Sequence, residues 1–200
     1  MKLVVNLHIS VDGVVQANGG NNEELDPGMT RGGWALPHFD EESMEYVNQF
    51  YQRAEAFMFG RRTYEFFAEY WGKVRTDMDN PIVDALNTKP KYVVSDSKFD
   101  PQWQSSTLVS GDVAKQIREL KSKQGGELQV HGSVTLVQWL LQQELVDELY
   151  LLVCPVIVGE GKRLFPENGI DIGLELVESR TFPKGINLLV YKPLGRPEYA

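Results

Sequence analysis

Cysteine is all but missing from this sequence: Cys154 is the single one in 200 residues. No intrachain disulfide can form, which fits a reducing compartment. Cys154 lies in "LYLLVCPVIV" with no basic residue close by in sequence to activate it. It reads as a small buried apolar residue and not as a catalytic thiol. No apolar run approaches the length that a membrane-spanning helix needs. The opening "MKLVVNLHIS" is too short and too alternating for a signal peptide. Positive charge is scarce as well: 20 Lys and Arg face 28 Asp and Glu, a net charge of −8 with a pI near 5.0. Broad contact with nucleic acid or an anionic membrane needs clustered Lys and Arg, so neither partner is expected. A phosphorylated ligand would have to be met by a local site. The G-x-G-x-x-G fingerprint of dinucleotide-binding Rossmann folds is missing too. "GEG" at 159–161 lacks the third glycine and reads as a turn. No repeat or composition break divides the chain. The expectation is a cytoplasmic protein of one α/β domain spanning 1–200.

What is present is an alternation of strand and helix signals. Residues 2–9 form a β-branched strand that runs into the Asp-Gly turn of "SVDGVV". A stretch rich in Gly and Asn follows, and 16–39 reads as a lid loop, since loops of that length inside a compact domain are usually functional or disordered. From Asp40 to Arg53, Met44, Val47, Phe50 and Tyr51 repeat with helical spacing, and Asp40 is placed to cap that helix. Strands are predicted at 56–60, 91–97, 127–133 and 146–159, the last with a kink at Pro155. Helices are predicted at 61–68, 81–88, 112–123 and 134–143. Two final strands, 173–182 and 186–192, turn across "FPKG". Strand–helix alternation implies right-handed crossovers and a mainly parallel sheet, closed by an antiparallel hairpin.

Three strand-to-helix junctions carry anion-binding chemistry. "GRRT" at 60–63 offers Gly60 for close backbone approach, Arg61 and Arg62 as charged donors, and Thr63 as a hydroxyl in the first helical turn. "SDSK" at 95–98 offers Ser95 and a lysine, and "HGSVT" at 131–135 a glycine and hydroxyls opening a helix. Ligands of open α/β sheets sit beyond the carboxyl ends of the strands, where helix N-termini point outward. Each junction alone has a plain structural reading as a turn or cap. Together they suit a ligand with several separated anionic groups.

"GRRTYE" resembles the Gly-Arg-x-Thr-aromatic-Glu signature of dihydrofolate reductases. "SVDG" and the whole of "GSVTLVQWLLQQELVDELYLLVCPVIVGEGKRLF" (132–165) resemble the reductase domain of riboflavin biosynthesis, a 5-amino-6-(5-phosphoribosylamino)uracil reductase of the same fold. The resemblance implies a dihydrofolate reductase-like three-layer α/β fold, with a central mixed sheet and helices on both faces. It also implies hydride transfer from NADPH, with NADH as the alternative, to a small pterin- or pyrimidine-like heterocycle, and a homodimer. Carried over by position, Arg61, Arg62 and Thr63 fall at adenosine-side phosphate contacts and Ser95 at the adenine ribose. His131, Gly132, Ser133, Val134 and Thr135 fall at the pyrophosphate, and the backbone near His8 and Val15 borders the nicotinamide.

The match has gaps. Dihydrofolate reductases carry an acid just after a Leu-Pro, where "LPHFDEE" has His38, with Asp40 two residues on. Leu152 stands at a substrate-binding threonine position. His131 replaces the first of two glycines, Asp96 sits where a 2′-phosphate would lie, and no deaminase domain is present. Asp12 and Asp40 are the candidate proton donors; Trp34, His38 and Phe39 are the candidate substrate contacts. The three histidines show no ligand spacing, and no metal is expected. A non-catalytic dinucleotide-binding protein of the same fold is the alternative reading.

Overall fold

The computed structural model describes residues 1–19, 29–74 and 80–199. Residues 20–28, the middle of the expected lid, lie outside the described residues. The first strand, β1 (Lys2–Ser10), is followed by α1 (Glu41–Arg53), β2 (Ala54–Gly60), α2 (Arg61–Tyr70) and α3 (Pro81–Thr88). Then come β3 (Lys91–Val94), β4 (Ser106–Val109), α4 (Val113–Ser122), β5 (Glu127–Val130) and α5 (Val134–Gln142). The chain closes with β6 (Glu148–Cys154), β7 (Leu174–Thr181) and β8 (Asn187–Pro193).

All eight strands form one sheet in the order β4-β3-β2-β5-β1-β6-β8-β7. The first six are mutually parallel, and β8 and β7 join antiparallel as the closing hairpin. The mixed, mainly parallel sheet with its terminal hairpin is the fold expected. Two details differ. Strand β4 was not foreseen, because its four residues carry no turn signals of their own and pair only at the edge, beside β3. Strand β6 ends at Cys154 instead of kinking through Pro155, since proline cannot donate the next ladder hydrogen bond.

Side chains alternate across β1, so each face of the sheet builds its own core. Leu3, Val5, Leu7 and Ile9 face Ile117 and Leu120 of α4 and Leu136, Val137, Leu140 and Leu141 of α5. Val4 faces the other way, toward a core that includes Val47, Phe50 and Tyr51 of α1 and Ala85 and Leu86 of α3. That second face is interrupted. Asn6 and His8 of β1, and Gln129 and His131 at and beyond the end of β5, put polar groups where an unbroken apolar row would pack better. No helix among the described residues is long and apolar enough to cross a membrane.

Candidate functional site

The polar interruption has a defined geometry. Val4 pairs with Gln129 in the parallel register, so two residues further on Asn6 and His131 come alongside. The His131 ring stacks on Tyr51 at 4.4 Å, with Phe50 edge-on at 6.0 Å. The Gln129 amide donates to the Phe50 carbonyl at 2.6 Å and to Glu127 at 2.7 Å. Its oxygen is therefore what faces His131 Nε2 at 3.2 Å, so Nε2 carries the proton and Nδ1 a lone pair. His8 is fixed in the same way. The Asn18 amide donates to the Val15 carbonyl at 3.0 Å, which turns its oxygen toward His8 Nδ1 at 3.2 Å. Phe39 packs edge-on to His8 at 5.0 Å. Burial pushes both imidazoles toward the neutral form: His131 is down at about 3, with His8 adding to the effect, and His8 is lowered too.

Two helix N-termini meet beside these rings. The Gly60 N–H, capping α2, donates to the Gly132 carbonyl at 3.2 Å. A Cβ on Gly60 would lie 2.5 Å from Ser133 Oγ, and one on Gly132 would lie 3.3 Å from Thr63 Oγ1. Gly132 also has a φ of +116°, a conformation that L side chains rarely adopt. Ser133 caps α5 by accepting from the Leu136 N–H. Both helix dipoles thus present their positive ends to one cleft. The cleft opens into a cavity of about 420 Å³ whose lining includes Arg62 and Thr63 on one side and Gly132 to Thr135 on the other. Asn6, His8 and His131 line it toward the sheet, and Tyr51, Phe66 and Phe67 supply aromatic wall.

His8, Val15, Arg62, Thr63 and His131 through Thr135 are therefore brought to one cavity, and Gly60 lets the two helix starts approach. Arg61 and Ser95 lie outside its lining. The Arg61 guanidinium turns to Glu65 and Ser97, each at 2.7 Å, over the Phe99 ring at 4.6 Å. Ser95 Oγ donates to the Ser97 carbonyl at 3.0 Å in the same turn. Trp34 is buried and donates from its indole N–H to the Gln16 carbonyl at 2.9 Å. His38 ends a short 3₁₀ turn, Leu36–His38. Neither residue lines the cavity, nor does Phe39, which braces His8 from outside.

The two carboxylates expected to supply a proton are committed elsewhere. Asp12 accepts from Ser10 Oγ at 2.7 Å and from the Val158 and Gly159 N–H groups at 2.9 and 2.8 Å, and pairs with Arg163 at 3.3 Å. These donors outweigh its desolvation and hold the carboxyl far below the usual range. Asp12 is a latch between the turn after β1 and the loop after β6. Asp40 caps α1, accepting from the Ser43 N–H at 2.9 Å and from the Lys184 N–H at 2.8 Å, and it too stays ionised. Among the described residues no group of three His, Cys, Asp or Glu could hold a metal ion. Cys154 is buried, and desolvation pushes its thiol up to about 12. The lining residues that sequence reasoning missed include Asn6, Asn18, Tyr51, Phe66, Phe67 and Lys162. Asn6 alone left a signal, a polar residue inside a β-branched strand on the same face as His8.

The sequence model of the RibD C-terminal domain matches residues 1–188. The chain belongs to the RibD C-terminal domain family. Its relatives include the Bacillus subtilis (strain 168) protein YyaP, 26% identical over 191 residues that make up 95% of this chain and 94% of that protein. Among solved structures, a pyrimidine reductase-like protein of Corynebacterium diphtheriae superposes with a TM-score of 0.64 at 14% identity, over 96% of this chain and 92% of that one. An Enterococcus faecalis dihydrofolate reductase complexed with NADP(H) superposes with a TM-score of 0.55 at 15% identity, over 96% of both chains. These likenesses establish a dihydrofolate reductase-like fold for this RibD C-terminal domain relative. In it, the cavity lies beyond the carboxyl ends of β2 and β5 and against the face of β1, where the parallel sheet presents the N-termini of α2 and α5.

Proposed function

We propose that this protein is a reductase that uses NADPH, with NADH as the second choice, to reduce a small pterin- or pyrimidine-like heterocycle. One observation carries the reading: two helix N-termini, two cations, Arg62 and Lys162, and three hydroxyl residues, Thr63, Ser133 and Thr135, meet at one cavity with an aromatic wall. The residues fit such a cofactor. At Gly60 and Gly132 a Cβ would fill the space between the two helix starts, and Arg62, Thr63, Ser133 and Thr135 are the donor types a pyrophosphate needs. When bound, the reduced nicotinamide would supply the hydride.

The chain's own part is binding and orientation. Arg62 and Thr63, with the start of α2, would hold phosphate on one side, and Gly132 to Thr135, with the start of α5, on the other. Arg61 and Ser95, outside the cavity but in adjoining turns, would border the adenosine ribose. His8 and Val15 would flank the nicotinamide, with Phe39 keeping the His8 ring in place. Asp12 and Asp40 are tied into structural hydrogen bonds, and we assign neither as proton donor. Every residue of β7 is exposed along the sheet's last edge, with Leu174, Leu176 and Val177 among them, which supports a homodimer through that face.

Nicotinamide fluorescence on titration tests the cofactor. Saturable binding is expected, tighter for NADPH, and Arg62→Ala should weaken it by about 1.5–3 kcal/mol, roughly 10- to 150-fold. Folded protein that gives no signal at millimolar cofactor would end the proposal. The second reading, a dinucleotide-binding protein without catalysis, is favoured by one fact: no carboxyl group among the described residues lines the cavity. A substrate screen that follows nicotinamide absorbance separates the two readings.

A further inference from the structure

The cavity is one-sided in charge. Arg62 and Lys162 line it, α2 and α5 open onto it, and no carboxylate among the described residues joins them. His8 and His131 share that lining, and burial disfavours the charged form of each. The two rings differ in what a second proton would meet. His131 is enclosed by the rings of Phe50, Tyr51, Phe57 and Phe59, with centroids 4.4–6.5 Å away. Among the described residues the His8 ring meets one aromatic neighbour, Phe39 at 5.0 Å. Asn18 Oδ1 accepts from His8 Nδ1 at 3.2 Å and can go on doing so once Nε2 is protonated, so charging His8 breaks no hydrogen bond. What opposes the charge is the loss of water, and an anion held at the helix starts supplies opposite charge in its place.

We propose that this cavity takes up its anionic ligand together with a proton, and that His8 receives the proton. Proton uptake rests on the anion-binding part of the proposed function and not on catalysis. The groups that share the cavity with His8 are Arg62 from α2, Tyr51 from α1, His131 after β5, Lys162 after β6 and Asn18 after β1. None of them is a carboxylate, so among the described residues nothing but the ligand brings negative charge. Linkage sets the sign: a ligand that raises the proton affinity of His8 binds more tightly as pH falls through the interval between its free and bound pKa values. That interval starts below the ordinary histidine value of 6.5, where burial holds His8 in the protein alone. Under the reductase reading, the same proton puts an acid where the described lining has no carboxyl group.

The test uses ADP-ribose, whose pyrophosphate is esterified at both ends and so lacks the ionisation at about pH 6 of a terminal phosphate. Calorimetry of the full-length protein at about pH 6, in two buffers of different ionisation enthalpy, counts the protons taken up on binding. Wild type should take up roughly half a proton or more and bind at least about threefold more tightly at about pH 6 than at about pH 8. The NMR signal of the His8 ring should move toward its protonated position in the same titration, a reading made on wild type and independent of how any variant folds. In His8→Gln, which cannot titrate there, the uptake and most of the pH dependence should disappear, whatever affinity remains. Binding without proton uptake, or uptake with the His8 signal unmoved, overturns the inference and leaves the anion site standing. Uptake that persists in His8→Gln assigns the proton elsewhere and overturns it as well. No binding at millimolar ADP-ribose overturns the anion site and the inference together.

Discussion

Placing a methyl group on Gly60 tests the geometry on which the cleft depends. The backbone there is extended, with φ −70° and ψ 151°, so alanine fits the local conformation. At such positions Gly→Ala usually stabilises by about 0.4–1 kcal/mol, through the entropy of the unfolded chain. Here the new Cβ would lie 2.5 Å from Ser133 Oγ and 3.3 Å from both Ser133 Cβ and the Ser133 backbone nitrogen. The hydroxyl can rotate away, but doing so uncaps α5. The backbone nitrogen can retreat only if the ends of β2 and β5 separate, which strains the Gly60 N–H to Gly132 C=O bond. Overpacking of this kind costs about 1–3 kcal/mol. Net destabilisation of roughly 1–2 kcal/mol is expected, and at about 2–4 °C per kcal/mol for a chain of this size the thermal midpoint should drop by several degrees.

Denaturant unfolding gives the stability term, and NADPH titration of the same samples shows whether the two helix starts have moved apart. Cofactor affinity should fall more steeply than stability, because the displaced groups are the ones proposed to hold pyrophosphate. Adding Ser133→Ala should return part of the stability, less the cap, whose loss costs about 0.5–2 kcal/mol. A Gly60→Ala protein as stable as wild type with unchanged cofactor affinity refutes the close approach of the two junctions. The shared cleft would go with it.

Three other perturbations have signs fixed by the structure. Arg61→Ala should weaken NADPH more than NADH, since Arg61 sits in the turn proposed to border the ribose; equal losses in fluorescence titration would remove it from that role. Asp12→Ala should cost about 1.5–3 kcal/mol in urea unfolding, the range for hydrogen bonds to a charged group, with turnover per folded molecule largely kept; unchanged stability with lost turnover would restore Asp12 as a catalytic acid. Lys91 is fully buried, donates to the Leu86 and Lys89 carbonyls at 2.7 and 2.8 Å, and has no carboxylate partner among the described residues, so desolvation lowers its pKa to about 8. Between pH 8 and the usual lysine range near 10.5 the unfolded chain then binds more protons than the folded one, and stability rises with pH by up to roughly 3 kcal/mol. Comparing Lys91→Met with wild type in urea across that window isolates the effect; parallel profiles would disprove it.

The sheet and most helices were legible because their signals are local: β-branched runs, helical spacing in α1, a capping aspartate, an unmistakable hairpin turn. The site was legible only in part, for geometric reasons. Arg61 and Arg62 look equivalent in "GRRT", but neighbours on a helix point about 100° apart, so the two guanidiniums cannot both enter one cavity. Asp12 reads as a turn former near a substrate until the fold brings Val158, Gly159 and Arg163 against it from nearly 150 residues away. Trp34 and Phe39 were foreseen as aromatic cover for a ligand, and instead they brace Gln16 and His8. The aromatic wall comes from α1 and α2, where Tyr51, Phe66 and Phe67 look like ordinary core residues on an amphipathic face.

The polar row across β1 and β5 argues most directly that this sheet was shaped for a ligand and not for stability alone. An apolar side chain at position 6 would complete the core under α1 and remove an orphaned carboxamide, whose burial without a partner costs about 1–3 kcal/mol. Gln129 and Asn18 each direct one nitrogen of an imidazole, and both histidines line the cavity. The cavity of this acidic chain presents two helix N-termini and two cations, Arg62 and Lys162, beside neutral polar and aromatic groups, with no carboxylate among the described residues. Since both halves open into one cavity, a molecule that is charged at one end and a flat, uncharged ring at the other fits it better than either half alone would suggest.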